Sequence, residues 1–164
     1  MKKLISTFII LITLFIVSGC EIKQNNMEDI DIYTTNYATE YITSRLYGDH
    51  SKIASIYPND TNIKEYKLTN KQIKDYSTSD LYIFNGLDNK EKKYASSMRN
   101  NNENLKIIDS TLAMEYTNSQ EELWLDPSNM LMMAQNIKKG FEEYINNYYL
   151  NNDIDKNYEN LKIE

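Results

Sequence analysis

Short apolar segments alternate with longer helical stretches along most of the chain, and this alternation restricts the possible folds more than any other feature. Four segments, 29–35, 53–57, 81–84 and 105–109, contain β-branched and aromatic residues that favour strands. The segment 81–84 is apolar at every position, as expected for a strand covered on both faces. The pattern therefore predicts an α/β fold, a three-layer sandwich with a four-stranded, mainly parallel sheet.

In the segments between these strands, apolar residues recur at helical spacing. We predict helices at 37–47, which ends at Gly48, from about 69 onward, and at 88–99. Asp126 and Pro127 begin a long helix whose apolar stripe includes Met130 and Met133, so these two residues are expected in the core. A short strand is predicted at 121–125, a turn at 151–153 and a last helix from Ile154 to Glu164.

The first twenty residues are typical of a bacterial lipoprotein signal. Two lysines precede an apolar segment, 4–17, which is followed by Ser18, Gly19 and Cys20. Cys20 is the only cysteine and cannot form an internal disulfide, so we expect it to be lipidated and to become the first residue of the mature chain. The alternative is an uncleaved membrane anchor with an incidental cysteine. Either way, the domain is predicted on the extracytoplasmic face of the cell membrane.

The net charge argues against a nucleic-acid-binding protein, and the lack of common catalytic motifs argues against an enzyme. The formal net charge is −6, and no run of basic residues interleaved with aromatics is present, so nucleic acid is not an expected partner. The chain has no glycine-rich phosphate loop and no nucleophile elbow, and His50 is its only histidine. We therefore predict that the protein is not an enzyme and that His50 lies in a surface turn.

Four segments in a fixed order resemble one protein family. They are Tyr47-Gly48-Asp49-His50, Ser55-Ile56-Tyr57-Pro58, Asp80-Leu81-Tyr82-Ile83-Phe84-Asn85-Gly86-Leu87 and Leu123-Trp124-Leu125-Asp126-Pro127, and the similarity continues through Met133-Ala134-Gln135-Asn136-Ile137. Together with the lipoprotein signal, they resemble the substrate-binding lipoproteins of zinc and manganese ABC importers, the bacterial solute-binding protein 9 family.

The resemblance implies a two-lobed protein that holds a divalent metal ion between its lobes and delivers it to an ABC transporter membrane permease. A long helix joins the lobes of such proteins, and each lobe supplies two metal ligands. These residues cover the N-terminal lobe. The division expected from the resemblance is a signal peptide at 1–19, a lipidated tether at 20–28, the N-terminal lobe at 29–150 and the start of the linking helix at 151–164.

Both positions at which the resemblance implies a histidine ligand in this lobe carry another residue. They are Lys64 and Glu122. A protonated lysine repels a cation and has no lone pair to donate, whereas a carboxylate remains a competent ligand. Glu122 is therefore the candidate metal ligand, with Asp60, Glu65 and Glu121 as other acidic residues nearby. We expect Zn²⁺ or Mn²⁺ to bind weakly, and we expect Trp124 to pack beneath the cleft floor.

Two further functions are compatible with the sequence. One is a non-transport, adhesin-like surface lipoprotein in which the lobe is a scaffold without a ligand. The other is a remnant of a disrupted receptor gene. A metal-importer lipoprotein is the function that the resemblance favours.

Overall fold

The computed structural model describes residues 26–115 and 120–163, and side chains from 123 onward in the second segment. Cys20 and the predicted signal segment lie outside the described residues. Within them, four strands and five helices follow one another in the predicted alternation. They are β1 (Ile30–Thr34), α1 (Tyr37–Tyr47), β2 (Ser51–Ser55), α2 (Asn70–Tyr76), β3 (Leu81–Phe84), α3 (Asn89–Asn101), β4 (Lys106–Asp109), α4 (Pro127–Tyr144) and α5 (Tyr148–Leu161).

The four strands form one parallel sheet in the order β2-β1-β3-β4, which confirms the predicted α/β fold. Side chains of β3 alternate between two cores because successive residues of a strand point to opposite faces. Leu81 and Ile83 belong to the core shared with α1, α4 and α5. Tyr82 and Phe84 belong to the second core, on the face covered by α2 and α3.

Side-chain caps define where the helices begin. Asn36 caps α1, Thr69 forms a capping box with Gln72 at α2, and Asp88 caps α3. Each cap accepts a hydrogen bond from a backbone N–H that has no partner inside its helix. None of the helices in the described segments has the length and apolar character needed to span a membrane.

The predicted short strand at 121–125 is wrong. Residues Gln120–Leu125 form a 3-10 helix, as Gly48–His50 also do. A strand requires a neighbouring strand for its backbone hydrogen bonds, and within the described residues this segment pairs with none. Instead, Leu123 is fully buried in the first core, whereas Leu125 is exposed just before Asp126 caps α4.

The predicted turn at 151–153 is also wrong, because α5 begins at Tyr148 rather than at Ile154. Asn147 caps this helix by accepting the N–H groups of Tyr149 and Leu150. Leu150 and Ile154, one turn apart, are both buried in the first core. This packing outweighs the turn preference of the intervening Asn151-Asn152-Asp153 segment.

The second strand lies two residues before its predicted position. β2 pairs along its whole length with β1, from Ile30 opposite Ser51 to Thr34 opposite Ser55. Ile56 and Tyr57, which suggested a later strand, follow the pairing and are buried in the second core. The length of the partner strand therefore determines where β2 begins and ends.

Candidate functional site

A cavity of about 300 Å³ lies at the carboxyl edge of the sheet. The strand order changes direction between β1 and β3, and ligands of open α/β sheets bind in the crevice outside such a point. Asn36 follows β1 and Asn85 follows β3 at this edge, while the loop after β2 brings Asn62 and Lys64 to the cavity. Trp124 completes the opposite wall.

Hydrogen bonds from Lys90 of α3 hold the loop that carries Asn62 and Lys64. Lys90 Nζ donates hydrogen bonds to the carbonyl oxygens of Ile63 and Tyr66, the second at 3.4 Å. The same ammonium group lies 5.3 Å from the ring centroid of Tyr57, a favourable cation–π distance. Lys90 is thus a positioning residue for this side of the cavity.

Gly86 allows the turn after β3 to approach β4 closely. Its N–H donates to Asp109 Oδ1 at 2.9 Å, and an added Cβ would lie 1.9 Å from Asp109 Oδ2. The Asp109 carboxylate is also fixed, because the backbone N–H and hydroxyl of Thr111 both donate to Oδ1 at 2.9 Å. Only glycine fits between these groups, and the neighbouring Asn85 depends on this arrangement.

We expect Gly86→Ala to destabilise the fold by about 1–3 kcal/mol, the usual cost of forcing extra atoms into a packed site. Urea unfolding of both proteins measures the difference. Gly48→Ala is the control: Gly48 has φ 62°, and an added Cβ would make only an ordinary contact, 3.8 Å from Asn157 Nδ2, so that variant incurs only conformational strain. A Gly86→Ala protein as stable as the wild type would contradict the close approach.

Glu91 is a buried carboxyl group in the wall of the cavity. Its side chain is 2% exposed, and Oε2 accepts the Asn85 N–H at 2.9 Å. Burial raises its pKa to about 7, and the nearby charge of Asp88 acts in the same direction. Hydrogen bonds from the Asn85 backbone and with the Thr35 side chain, together with Lys90, act against this increase without cancelling it.

The structure brings some of the predicted residues to the cavity and leaves others elsewhere. Lys64 lines the cavity, and Trp124 lines it while packing against the first core. The Glu122 side chain and Cys20 lie outside the described residues. His50 lies at the opposite edge of the sheet, in the turn before β2, with Nε2 3.6 Å from Asp153 Oδ2. No cluster of three or more histidine, cysteine, aspartate or glutamate side chains suited to a metal occurs in the described segments.

Comparison with known proteins identifies the family. A family model described as the periplasmic zinc-uptake complex component A, ZnuA, matches residues 32–162, which is most of the chain. This chain belongs to the ZnuA family. The match includes β1 from Ile32 onward, most of both cores and the loops around the cavity, so the site lies within the shared fold.

Relatives of known function and structure have the same fold. The chain is 24% identical over 157 residues to the metal ABC transporter substrate-binding lipoprotein SloC of Streptococcus mutans, covering 87% of this chain and 51% of SloC. The Zn(II)-bound ZnuA-like domain of Streptococcus pneumoniae AdcA superposes with a TM-score of 0.71 at 18% identity, over 82% of this chain and 51% of that one. A periplasmic metal-binding protein of Candidatus Liberibacter asiaticus gives 0.68 at 17% identity, over 82% and 52%. The chain therefore spans about half the length of these relatives.

Three residues of the cavity wall were not predicted as site residues: Asn36, Asn85 and Glu91. The two asparagines had a detectable signal, because polar residues that directly follow buried parallel strands gather at the ligand-binding edge. Glu91 had none, since it lies in a segment rich in lysine whose composition is typical of a solvated helix. Only the packing of α3 beside β3 shows that it is buried.

Proposed function

We propose that this chain forms the N-terminal lobe of an extracytoplasmic substrate-binding lipoprotein for a divalent-metal ABC importer. The observation that carries the proposal is the cavity at the change of strand direction in a ZnuA-family fold, with residue 64 in its wall. Its partners would be a membrane permease, a zinc or manganese ion as cargo, and the membrane itself through lipidated Cys20. The similarity to SloC, a metal ABC transporter substrate-binding lipoprotein, and to the Zn(II)-bound domain of AdcA supports a binding role.

The metal ligands of this lobe differ from those that the family resemblance implies. Lys64 would place a positive charge near the cation, and two unit charges 4 Å apart near a protein surface repel by about 4 kcal/mol. Glu122 remains the candidate ligand of this lobe. The other two ligands implied by the resemblance belong to a second lobe, which these residues do not include.

We expect the soluble chain from Glu21 onward to bind Zn²⁺ or Mn²⁺ weakly, because one carboxylate on a loop cannot replace a closed site whose binding free energy reaches roughly 10 kcal/mol or more. Isothermal titration calorimetry measures the affinity. Restoring histidine with Lys64→His and Glu122→His together should improve it only modestly. Sub-micromolar binding by the unaltered chain that disappears in Glu122→Ala would show that the site is stronger than proposed.

A further inference from the structure

The two buried asparagines of the cavity use their carboxamide oxygens inside the protein. Asn36 Oδ1 accepts the Thr39 N–H at 2.9 Å and the Thr39 hydroxyl at 2.6 Å. Asn85 Oδ1 accepts the Leu87 N–H at 3.0 Å. A backbone N–H only donates, so these contacts determine which end of each carboxamide is the oxygen. The other end, Nδ2, is therefore a hydrogen-bond donor.

These Nδ2 groups have no acceptor among the described residues. Asn36 is 5% exposed and Asn85 is 4% exposed, and both line the cavity. Since both residues line the cavity, these Nδ2 groups face the space in which water or a bound molecule would supply an acceptor. Asn62, on the loop after β2, is exposed, and its Oδ1 accepts the Lys64 N–H at 3.1 Å, so its Nδ2 is also a donor at the cavity. Three amide donors thus surround the cavity.

The backbone adds positive potential at the same place. Helices α1 and α3, of 11 and 13 residues, both begin beside the cavity, at the caps Asn36 and Asp88. The amino end of a helix carries a partial positive charge and attracts anions. Asp88 opposes this effect, but its Oδ1 accepts the N–H groups of Lys90 and Glu91, so its carboxylate is directed at the helix end.

We propose that this cavity receives its ligand through a carboxylate group, which accepts hydrogen bonds from the Nδ2 groups of Asn36 and Asn85. Asp88 and Glu91 also line the cavity, but Asp88 accepts N–H groups of its helix and Glu91 accepts the Asn85 N–H. The amide donors that remain are suited to a carboxylate oxygen rather than to a bare divalent cation. The carboxylate would come from a small organic acid, either free or already bound to a divalent metal. The inference deepens the proposed solute-binding function and rests on its assignment of this cavity as the binding site.

Nuclear magnetic resonance of the ¹⁵N-labelled chain from Glu21 onward tests the inference directly. The probes are citrate, Zn²⁺ alone and the preformed zinc–citrate complex, each titrated into the millimolar range. We expect citrate to shift the side-chain NH₂ signals of Asn36 and Asn85 in a saturable way, and Zn²⁺ alone to leave them in place. Tighter binding of the complex than of citrate would identify the metal-bound form as the ligand, and the reverse order would identify the free acid.

Asparagine-to-aspartate variants test the contribution of the NH₂ donor, because they leave the rest of the side chain in place. Asn36→Asp and Asn85→Asp keep the accepting oxygen but replace the NH₂ donor with a negative oxygen, and aspartate is also a good helix cap. Each should weaken citrate binding at least about tenfold, through loss of a hydrogen bond to a charged group and added repulsion. Asn104→Asp is the matched control, because Asn104 is exposed before β4, at the opposite edge of the sheet.

The outcomes distinguish this inference from the function on which it rests. Unchanged citrate affinity in Asn36→Asp, which is expected to fold because it retains its cap, would overturn the inference. Binding of Zn²⁺ without binding of citrate or zinc–citrate would also overturn it while supporting the metal-binding function. Failure of citrate and zinc–citrate to bind would overturn the inference whatever Zn²⁺ does, whereas the proposed metal-binding function, which expects only weak Zn²⁺ binding by this lobe, would stand.

Discussion

Cys20→Ala is expected to abolish lipidation of the protein. A diacylglyceryl anchor is joined through a thioether to the cysteine Sγ atom, and Cys20 is the only cysteine in the chain. Each buried methylene of a lipid chain contributes roughly 0.8 kcal/mol to membrane binding, and the variant loses this contribution. The variant should remain an unlipidated precursor with impaired processing.

Metabolic labelling with a fatty-acid analogue measures this loss, together with the distribution of the protein between membrane and soluble fractions. Ser18→Ala is the matched control, because alanine preserves the small side chain that the signal requires before the cysteine. We expect the control to be labelled like the wild type. Labelling of the Cys20→Ala protein would refute the proposed anchor.

Glu91→Gln is expected to change how stability depends on pH. The pKa of Glu91 is raised from 4.5 to about 7 by burial. The folded state therefore holds the Glu91 proton more tightly than the unfolded state does. The protonated carboxyl makes its full contribution to the free energy of unfolding below pH 4.5. That stability is lost as the pH rises from 4.5 through 7, because the folded protein must then hold a buried carboxylate. A shift of this size corresponds to about 3 kcal/mol.

Urea unfolding of both proteins at pH 4, 6 and 8 measures the effect. Glutamine has a similar shape, can accept the Asn85 N–H and does not ionise, so the stability of Glu91→Gln relative to wild type should increase by about 3 kcal/mol between pH 4 and 8. Glu103→Gln alters an exposed carboxyl at the far edge of the sheet and is the control. Parallel pH profiles for wild type and Glu91→Gln would show that Glu91 is not held as a buried acid.

Local sequence patterns determined the secondary structure wherever the deciding interactions span only a few residues. The bounds of α1 and β3 match the predictions, 37–47 and 81–84. Helical periodicity, an asparagine cap and a glycine end are sufficient for α1. A continuous apolar run is sufficient for β3 because both of its faces are covered. The parallel α/β arrangement follows from the alternation of such elements.

Elements whose bounds depend on a distant partner were predicted less well. β2 follows the length of β1, and α5 extends through the segment 151–153 because Leu150 and Ile154 are buried against helices α1 and α4. The segment 120–125 had strand-like composition but no strand to pair with in the described part of the chain. Partners of this kind are remote in sequence, so no local pattern contains them.

The sequence likewise predicted one part of the candidate site, and the tertiary structure decided the rest. Family resemblance led to position 64, and Lys64 does line the cavity. The character of the cavity depended on tertiary structure: Asn36 and Asn85 present Nδ2 because the N–H groups of Thr39 and Leu87 occupy their oxygens. Glu91 becomes a weak acid only because α3 packs it beside β3, away from water. A residue type is a property of the sequence, but its hydrogen-bond partners and its hydration, which set its chemistry, come from chain segments brought together by folding.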